Sequence, residues 1–252
     1  MLIRRHQRAK TFVRGLVSRP SVRADARSVL SPNGAVNENF VFCEPAAAIF
    51  SVAAGIGRGL GGSEAAEFAT SVVAGELMEA QIDCSFDQFQ AASILRRAKG
   101  IAMDGLCEFA RACPEVASMG TSLALGWIVH GQMHFAHIGA CSIFQLRQQT
   151  MTRMMSRDTT CLDREIVYPA RYLGPTSPDS RLTVTTVELE VGDRFVLLTD
   201  TVLNGLSEQS LENALRIAKD PAEACDWVTT ASQCSDSSTD KTCLVVEISE
   251  PG

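Results

Sequence analysis

The chain has 252 residues, is 46% hydrophobic, and carries a formal net charge of −6. That is long and apolar enough for one substantial core. No apolar run approaches the ~18–20 residues needed to cross a bilayer, which argues against a transmembrane helix. The charge is uneven. Residues 1–27 hold eight Lys/Arg against one acid, Asp25. Such a basic arm suits a solvated tail or contact with an anionic surface, and its only apolar patch, 12–17, is broken by Arg14 as no secretory leader would be. The nine cysteines are scattered with no C-x-x-C pair, a pattern of buried reduced thiols in a cytoplasmic protein rather than a zinc or disulfide framework.

In chain order, residues 24–30 and 40–42 read as strands around the turn Ser31-Pro32-Asn33-Gly34. The apolar run 49–53 reads as a buried third strand that breaks into a turn bearing Gly55, Gly57 and Gly59. A helix follows, with Ser63 as its N-cap and an apolar stripe of Phe68, Val72, Val73, Leu77 and Ile82. A second helix spans 86–113 and stops at Pro114. The period then becomes strand-like, predicting a meander over 121–130, 132–138 and 142–146. A strand pair at 182–189 and 193–198 surrounds Val191-Gly192. Two shorter helices (208–218 and 221–231) precede the last strand, TCLVVEI. This order predicts an α/β sandwich, two antiparallel sheets with helices outside.

The segment FSVAAGIGRGLGG, residues 50–62, lacks the acid expected where a strand feeds a glycine turn and a helix. Two other strand ends do carry acids: FVLLTD finishes at Asp200, and Asp240 precedes the last apolar run. From about Arg23 onward this arrangement resembles the metal-dependent Ser/Thr protein phosphatases of the PPM, or 2C, class. The resemblance rests on seven short motifs in order: 31–39 with Asn37-Glu38-Asn39, 50–58, Met119-Gly120-Thr121-Ser122, Gly139-Ala140-Cys141-Ser142, Leu173-Gly174, 191–204, and Asp240-Lys241-Thr242-Cys243. It implies an α-β-β-α sandwich over residues 23–252, preceded by a basic extension over 1–22, with a short strand and polar loop over 151–162.

What the resemblance implies about chemistry is specific. Two divalent cations, Mn²⁺ or Mg²⁺, would bridge a water that attacks a phosphoserine or phosphothreonine. The ligand positions retained are Glu38, the Gly55 carbonyl, Asp200 and Asp240. The carboxylate shared between the cations falls on Ala54, and two acids of a weaker third site fall on Ala140 and Asn204. The phosphate-reaching arginine falls on Gly34, the acid after Glu38 is Asn39, and Lys241 brings a positive charge next to Asp240. The reading is therefore a degenerate phosphatase domain, a pseudophosphatase binding a phosphoprotein or a component of a Ser/Thr kinase pathway, with at most one Mn²⁺ or Mg²⁺ firmly held. The alternatives are a divergent but active Mn/Mg-dependent phosphatase and an inert domain localised by its arm. No nucleic-acid partner is assigned. His134 and His137 fall on opposite strand faces and make poor joint ligands, and Cys141 has no evident base beside it.

Overall fold

The computed structural model describes residues 21–57, 61–83, 90–155, 157–163 and 166–250. Residues 1–20 of the basic extension, Arg58 and Gly59 of the glycine turn, Cys84, and the expected helix start at Phe86 lie outside the described residues. The strands are Ser21–Val29 (β1), Asn39–Glu44 (β2), Ile49–Ile56 (β3), Gly120–Val129 (β4), Gln132–Ile138 (β5), Ser142–Arg147 (β6), Thr150–Met155 (β7), Thr159–Asp163 (β8), Ile166–Pro169 (β9), Thr183–Glu188 (β10), Arg194–Leu198 (β11) and Lys241–Ser249 (β12). The helices are Gly62–Asp83 (α1), Ala91–Ala112 (α2), Val202–Gly205 (α3), Glu208–Ile217 (α4) and Pro221–Ser235 (α5).

Two antiparallel five-stranded sheets form, ordered β1-β12-β11-β6-β7 and β10-β5-β4-β3-β2, with β8 and β9 as a separate pair. Alternation along each strand builds three apolar layers. From β12, Leu244 and Val246 join Phe50, Val52, Phe135, Phe195 and Leu197 between the sheets. Their neighbours Cys243 and Val245 turn outward to Leu211, Leu215 and Val228 of α4 and α5. On the far side, Ile49, Ala53 and Trp127 meet Leu77 of α1 and Leu95 of α2. A strand buried on both faces needs a continuous apolar run, which is what TCLVVEI supplies. The expected α/β sandwich of two antiparallel sheets flanked by helices is the observed fold.

Several local expectations change. Strands β1 and β2 belong to different sheets, and so do β10 and β11. Of the expected meander only β4 and β5 pair, while β6 joins β11. Period-2 patterning decides which face of a strand is buried but not which strand lies beside it. The chain crosses between the sheets at Gly139-Ala140-Cys141 and again at Val191-Gly192. Helix α1 is buried through Ala65, Ala66, Ala69, Val73, Ala74 and Leu77, leaving Phe68 and Ile82 exposed. Alanines let the helix approach the sheet more closely than a stripe of large side chains would. Ser63 is not the N-cap, because the first helical bond runs from the Ala65 N–H to the Gly61 carbonyl (3.0 Å). Its hydroxyl donates instead to Glu64 Oε2 (2.8 Å). Of the cysteines whose burial is described, Cys141, Cys225 and Cys243 are buried, Cys43, Cys107 and Cys113 are half-buried, and Cys234 is exposed.

The second crossing is pinned by Asp193, whose side chain is fully buried. Its Oδ1 accepts from Arg147 Nε (2.7 Å) and Gln145 Nε2 (3.2 Å). Its Oδ2 accepts from Arg147 Nη2 (2.6 Å) and the Glu190 N–H (3.0 Å). Asp193→Ala strands these donors and is expected to cost ~3–5 kcal/mol in urea unfolding.

Two buried imidazoles set a pH dependence. The His134 Nδ1 pairs with Thr186 Oγ1 (2.9 Å), and the His137 Nε2–H donates to the Cys141 carbonyl (2.8 Å). Burial holds both below the ordinary histidine value, an effect that the bond to the Cys141 carbonyl, and then Asp158, partly oppose at His137. The unfolded chain therefore takes up protons, from about pH 6.5 downward, that the folded chain refuses. Stability is expected to fall with acidification in that range, by up to ~1.4 kcal/mol per pH unit for each histidine. Urea midpoints between about pH 7.5 and 5.5 check this, and His134→Gln should flatten the slope.

Candidate active site

The ends of β2, β3, β11 and β12 meet at one edge of the sandwich around a cavity of about 690 Å³. Its walls include Glu38, Asn39, Ala54, Gly55, Asp200 and Asp240, joined by Gly34, Ser122, Ala140, Thr201, Tyr168 and Pro169. The four expected ligand positions are thus brought together, and so are Ala54 and Ala140.

Asp240 lies just ahead of β12. Its Oδ1 accepts the Ser31 N–H and its Oδ2 the Glu38 N–H, each at 2.8 Å. The Asp240 carbonyl in turn accepts from Thr201 Oγ1 (2.6 Å). Both carboxylate oxygens are therefore held by neutral backbone donors, a strong arrangement for an ionised acid. The Glu38 carbonyl accepts the Gly55 N–H (2.9 Å). Its carboxyl group lies against the first residue of α1, since a Cβ on Gly62 would stand 3.4 Å from Glu38 Cδ. That places a negative group at the positive end of a 22-residue helix.

Gly55 is required by close backbone contact. A Cβ there would lie 2.4 Å from the Gly62 carbonyl oxygen and 2.6 Å from that of Glu38. Ala54 stands opposite Asn39 on β2 and Ser122 on β4. Its carbonyl accepts from Thr121 Oγ1 (3.1 Å), and its side chain offers the cavity only a methyl group. Ala140 is buried, with its N–H on Ser122 Oγ (3.1 Å). The preceding Gly139 adopts φ +94 and packs on Ser122, so the crossing itself demands glycine.

Asp200 ends β11. Burial raises its carboxyl above the usual range, opposed first by the charge of Arg157, then by backbone N–H groups of Thr201 and Asp200, and last by Lys241. Arg157 was not singled out by sequence; it sits between β7 and β8, in a stretch that reads only as polar loop. Its neighbour Asp158 donates its N–H to the Gly139 carbonyl (2.8 Å), fixing that stretch at the crossing. Tyr168 and Pro169 of β9 lie beyond that loop, where the sequence pattern predicts no element.

Two residues sit differently from expectation. Asn204 is exposed on α3 and is not among the cavity walls. The Lys241 ammonium turns away from the cavity to the Thr201 carbonyl, Thr239 Oγ1 and Asp236 Oδ2. The Cys141 thiol is buried and pushed well up by desolvation, which suits a core side chain and not a nucleophile. Among the described residues, no three His, Cys, Asp or Glu side chains gather as a group able to hold a metal ion.

This architecture matches solved structures over nearly its whole length. The serine/threonine phosphatase PstP/Ppp of Mycobacterium tuberculosis is 22% identical with a TM-score of 0.76, covering 91% of this chain and 99% of that one. A second structure, the PstP catalytic domain in complex with two manganese ions, gives 22% identity and a TM-score of 0.74, covering 91% and 99%. PppA of Pseudomonas aeruginosa, described as a key regulatory component of T6SS, is 17% identical with a TM-score of 0.78, covering 90% and 97%. No functionally curated sequence matches the chain. The family model described as protein phosphatase 2C matches residues 33–237, and with that span the chain belongs to the protein phosphatase 2C family.

Proposed function

We propose that this domain is a pseudophosphatase: it keeps the scaffold of the family but binds a phosphoprotein or a component of a Ser/Thr kinase pathway instead of turning over phosphate. The observation that carries this reading is the methyl group of Ala54 in the cavity wall, where the family resemblance calls for a carboxylate shared by two cations. The donor set does not fit a cation pair. Two divalent ions roughly 3.5–4 Å apart need negative charge between them. Here Asp240 is already held by two N–H groups and position 140 is also a methyl. Losing a supporting partner of a ligand costs ~10–100-fold in metal affinity, and loss of a shared ligand costs more.

One observation favours the second reading, a divergent phosphatase with a single ion. The Asp200 carboxyl is disfavoured as an anion by burial, so a cation beside it would relieve that cost. At most one Mn²⁺ or Mg²⁺ is then held, with Glu38, Asp240 and the Gly55 carbonyl as further donors. Among the described residues no helix is long and apolar enough to cross a membrane. A cytoplasmic site of action, and a role for the basic arm on an anionic surface, belong to this proposal.

Turnover of an aryl phosphate and a phosphothreonine peptide under millimolar Mn²⁺ separates the readings. The wild type is expected to show none that chelator removes, and Ala54→Asp is expected to bind Mn²⁺ at least ~10-fold more tightly by calorimetry. Robust wild-type turnover, abolished by chelator and by Asp200→Asn, would establish the enzyme instead. In chelator at neutral pH, Asp200→Asn is expected to stabilise the fold by ~0.5–2 kcal/mol, because it removes a charge that burial opposes. Thermal unfolding in chelator checks that sign.

A further inference from the structure

Lys241 is fully buried. A buried ammonium is tolerated only when its three N–H donors are satisfied and its charge is met. Here the three acceptors are Thr239 Oγ1 at 2.7 Å, the Thr201 carbonyl at 3.0 Å and Asp236 Oδ2 at 3.0 Å. Asp236 supplies the counter-charge, and it is itself organised, with Oδ1 accepting the Ser238 N–H (3.0 Å) and hydroxyl (2.6 Å). These bonds, to Ser238 first and then to Lys241, hold the Asp236 carboxyl down at about 2.

The placement of these groups matters more than their number. Thr201 follows Asp200, and Thr239 precedes Asp240; all four line the cavity. Lys241 is the next residue after Asp240 and ties the β11 end to the loop between α5 and β12 from behind the wall. The bond from Thr201 Oγ1 to the Asp240 carbonyl closes the same seam from a second direction. The seam is therefore drawn together by a cation that the chain carries itself.

We infer that Lys241 is a positioning residue that stands in for a divalent ion: it holds Asp200 and Asp240 in one preassembled wall when no metal is bound. This inference deepens the pseudophosphatase reading and rests on it. The cavity is then formed in chelator as fully as in Mn²⁺, and whatever docks there does so without a metal.

Amide hydrogen exchange over residues 199–201 and 236–242 tests this in the full chain. Wild-type exchange there is expected to be the same in chelator and in millimolar Mn²⁺. Lys241→Met, which keeps the stem but loses the charge, is expected to raise it about tenfold or more. Asp236→Asn, milder and partly solvent-facing, serves if the methionine variant fails to fold, and is expected to raise exchange in the same segments. Slower wild-type exchange on adding Mn²⁺, or unchanged exchange in Asp236→Asn, would overturn the inference. Chelator-sensitive turnover by the wild type, measured on the same samples, would end the pseudophosphatase reading. With Mn²⁺-independent exchange it would leave the role of Lys241 standing.

Discussion

The Asp240 carboxylate ties the two sheets together where the cavity opens. It lies just ahead of β12 in one sheet, and its oxygens take the N–H of Ser31, after β1 of that sheet, and of Glu38, ahead of β2 in the other. Everything at the site is hung from this clamp. Glu38 is placed by its own N–H on Asp240, Gly55 by its N–H on Glu38, and Thr201 by its hydroxyl on the Asp240 carbonyl. Each of these bonds is given by a neutral donor, two backbone amides and one hydroxyl, so the chain's own hydrogen bonds fix the geometry of the wall.

The same logic governs the charges. Three carboxylates facing one cavity would repel one another, by ~4 kcal/mol for a pair 4 Å apart at an effective dielectric of 20. The fold meets each acid separately. Asp240 has its two amides, Glu38 lies at the N-terminus of α1, and Asp200 feels Arg157 and, more weakly, Lys241. Local donors of this kind are short-ranged; they serve Asp240 and Glu38, while burial still disfavours the Asp200 anion.

Much of the architecture was legible in the chain. The alternation of Leu244 and Val246 against Cys243 and Val245 marks a strand with two buried faces, and Asp200 and Asp240 stand at strand ends as read. The convergence of Glu38, Gly55, Asp200 and Asp240 on one cavity was also legible, through the family resemblance. Neighbour relations were not, because β10 and β11 carry a hairpin-like pattern while a buried Asp193 and Arg147 route them to different sheets. The apolar stripe on α1 misled because alanine counts little in periodicity yet does most of the packing there. Lys241 reads in sequence as a charge beside the site. Its direction depends on Thr201, forty residues away, and on a loop whose shape no spacing encodes. Arg157 was invisible for the same reason, since its relation to Asp200 exists only once the crossing at Gly139 brings them near.

On the proposed pseudophosphatase reading, the residues at positions 54, 140 and 241 are mutually consistent. With no cation in the cavity, an acid at position 54 would stand on β3 directly opposite Asn39, the residue after Glu38, and next to Gly55. Another at position 140 would sit in a buried turn whose own N–H is already given to Ser122 Oγ. A carboxylate added at either position would face Glu38, Asp200 and Asp240 across the same cavity and add to their mutual repulsion. Methyl groups add no such repulsion. Of the acids that remain, Asp240 has its two amides and Glu38 a helix N-terminus, while burial still disfavours the Asp200 anion against the partial help of Arg157. The lysine after Asp240 gives its charge to Thr201, Thr239 and Asp236.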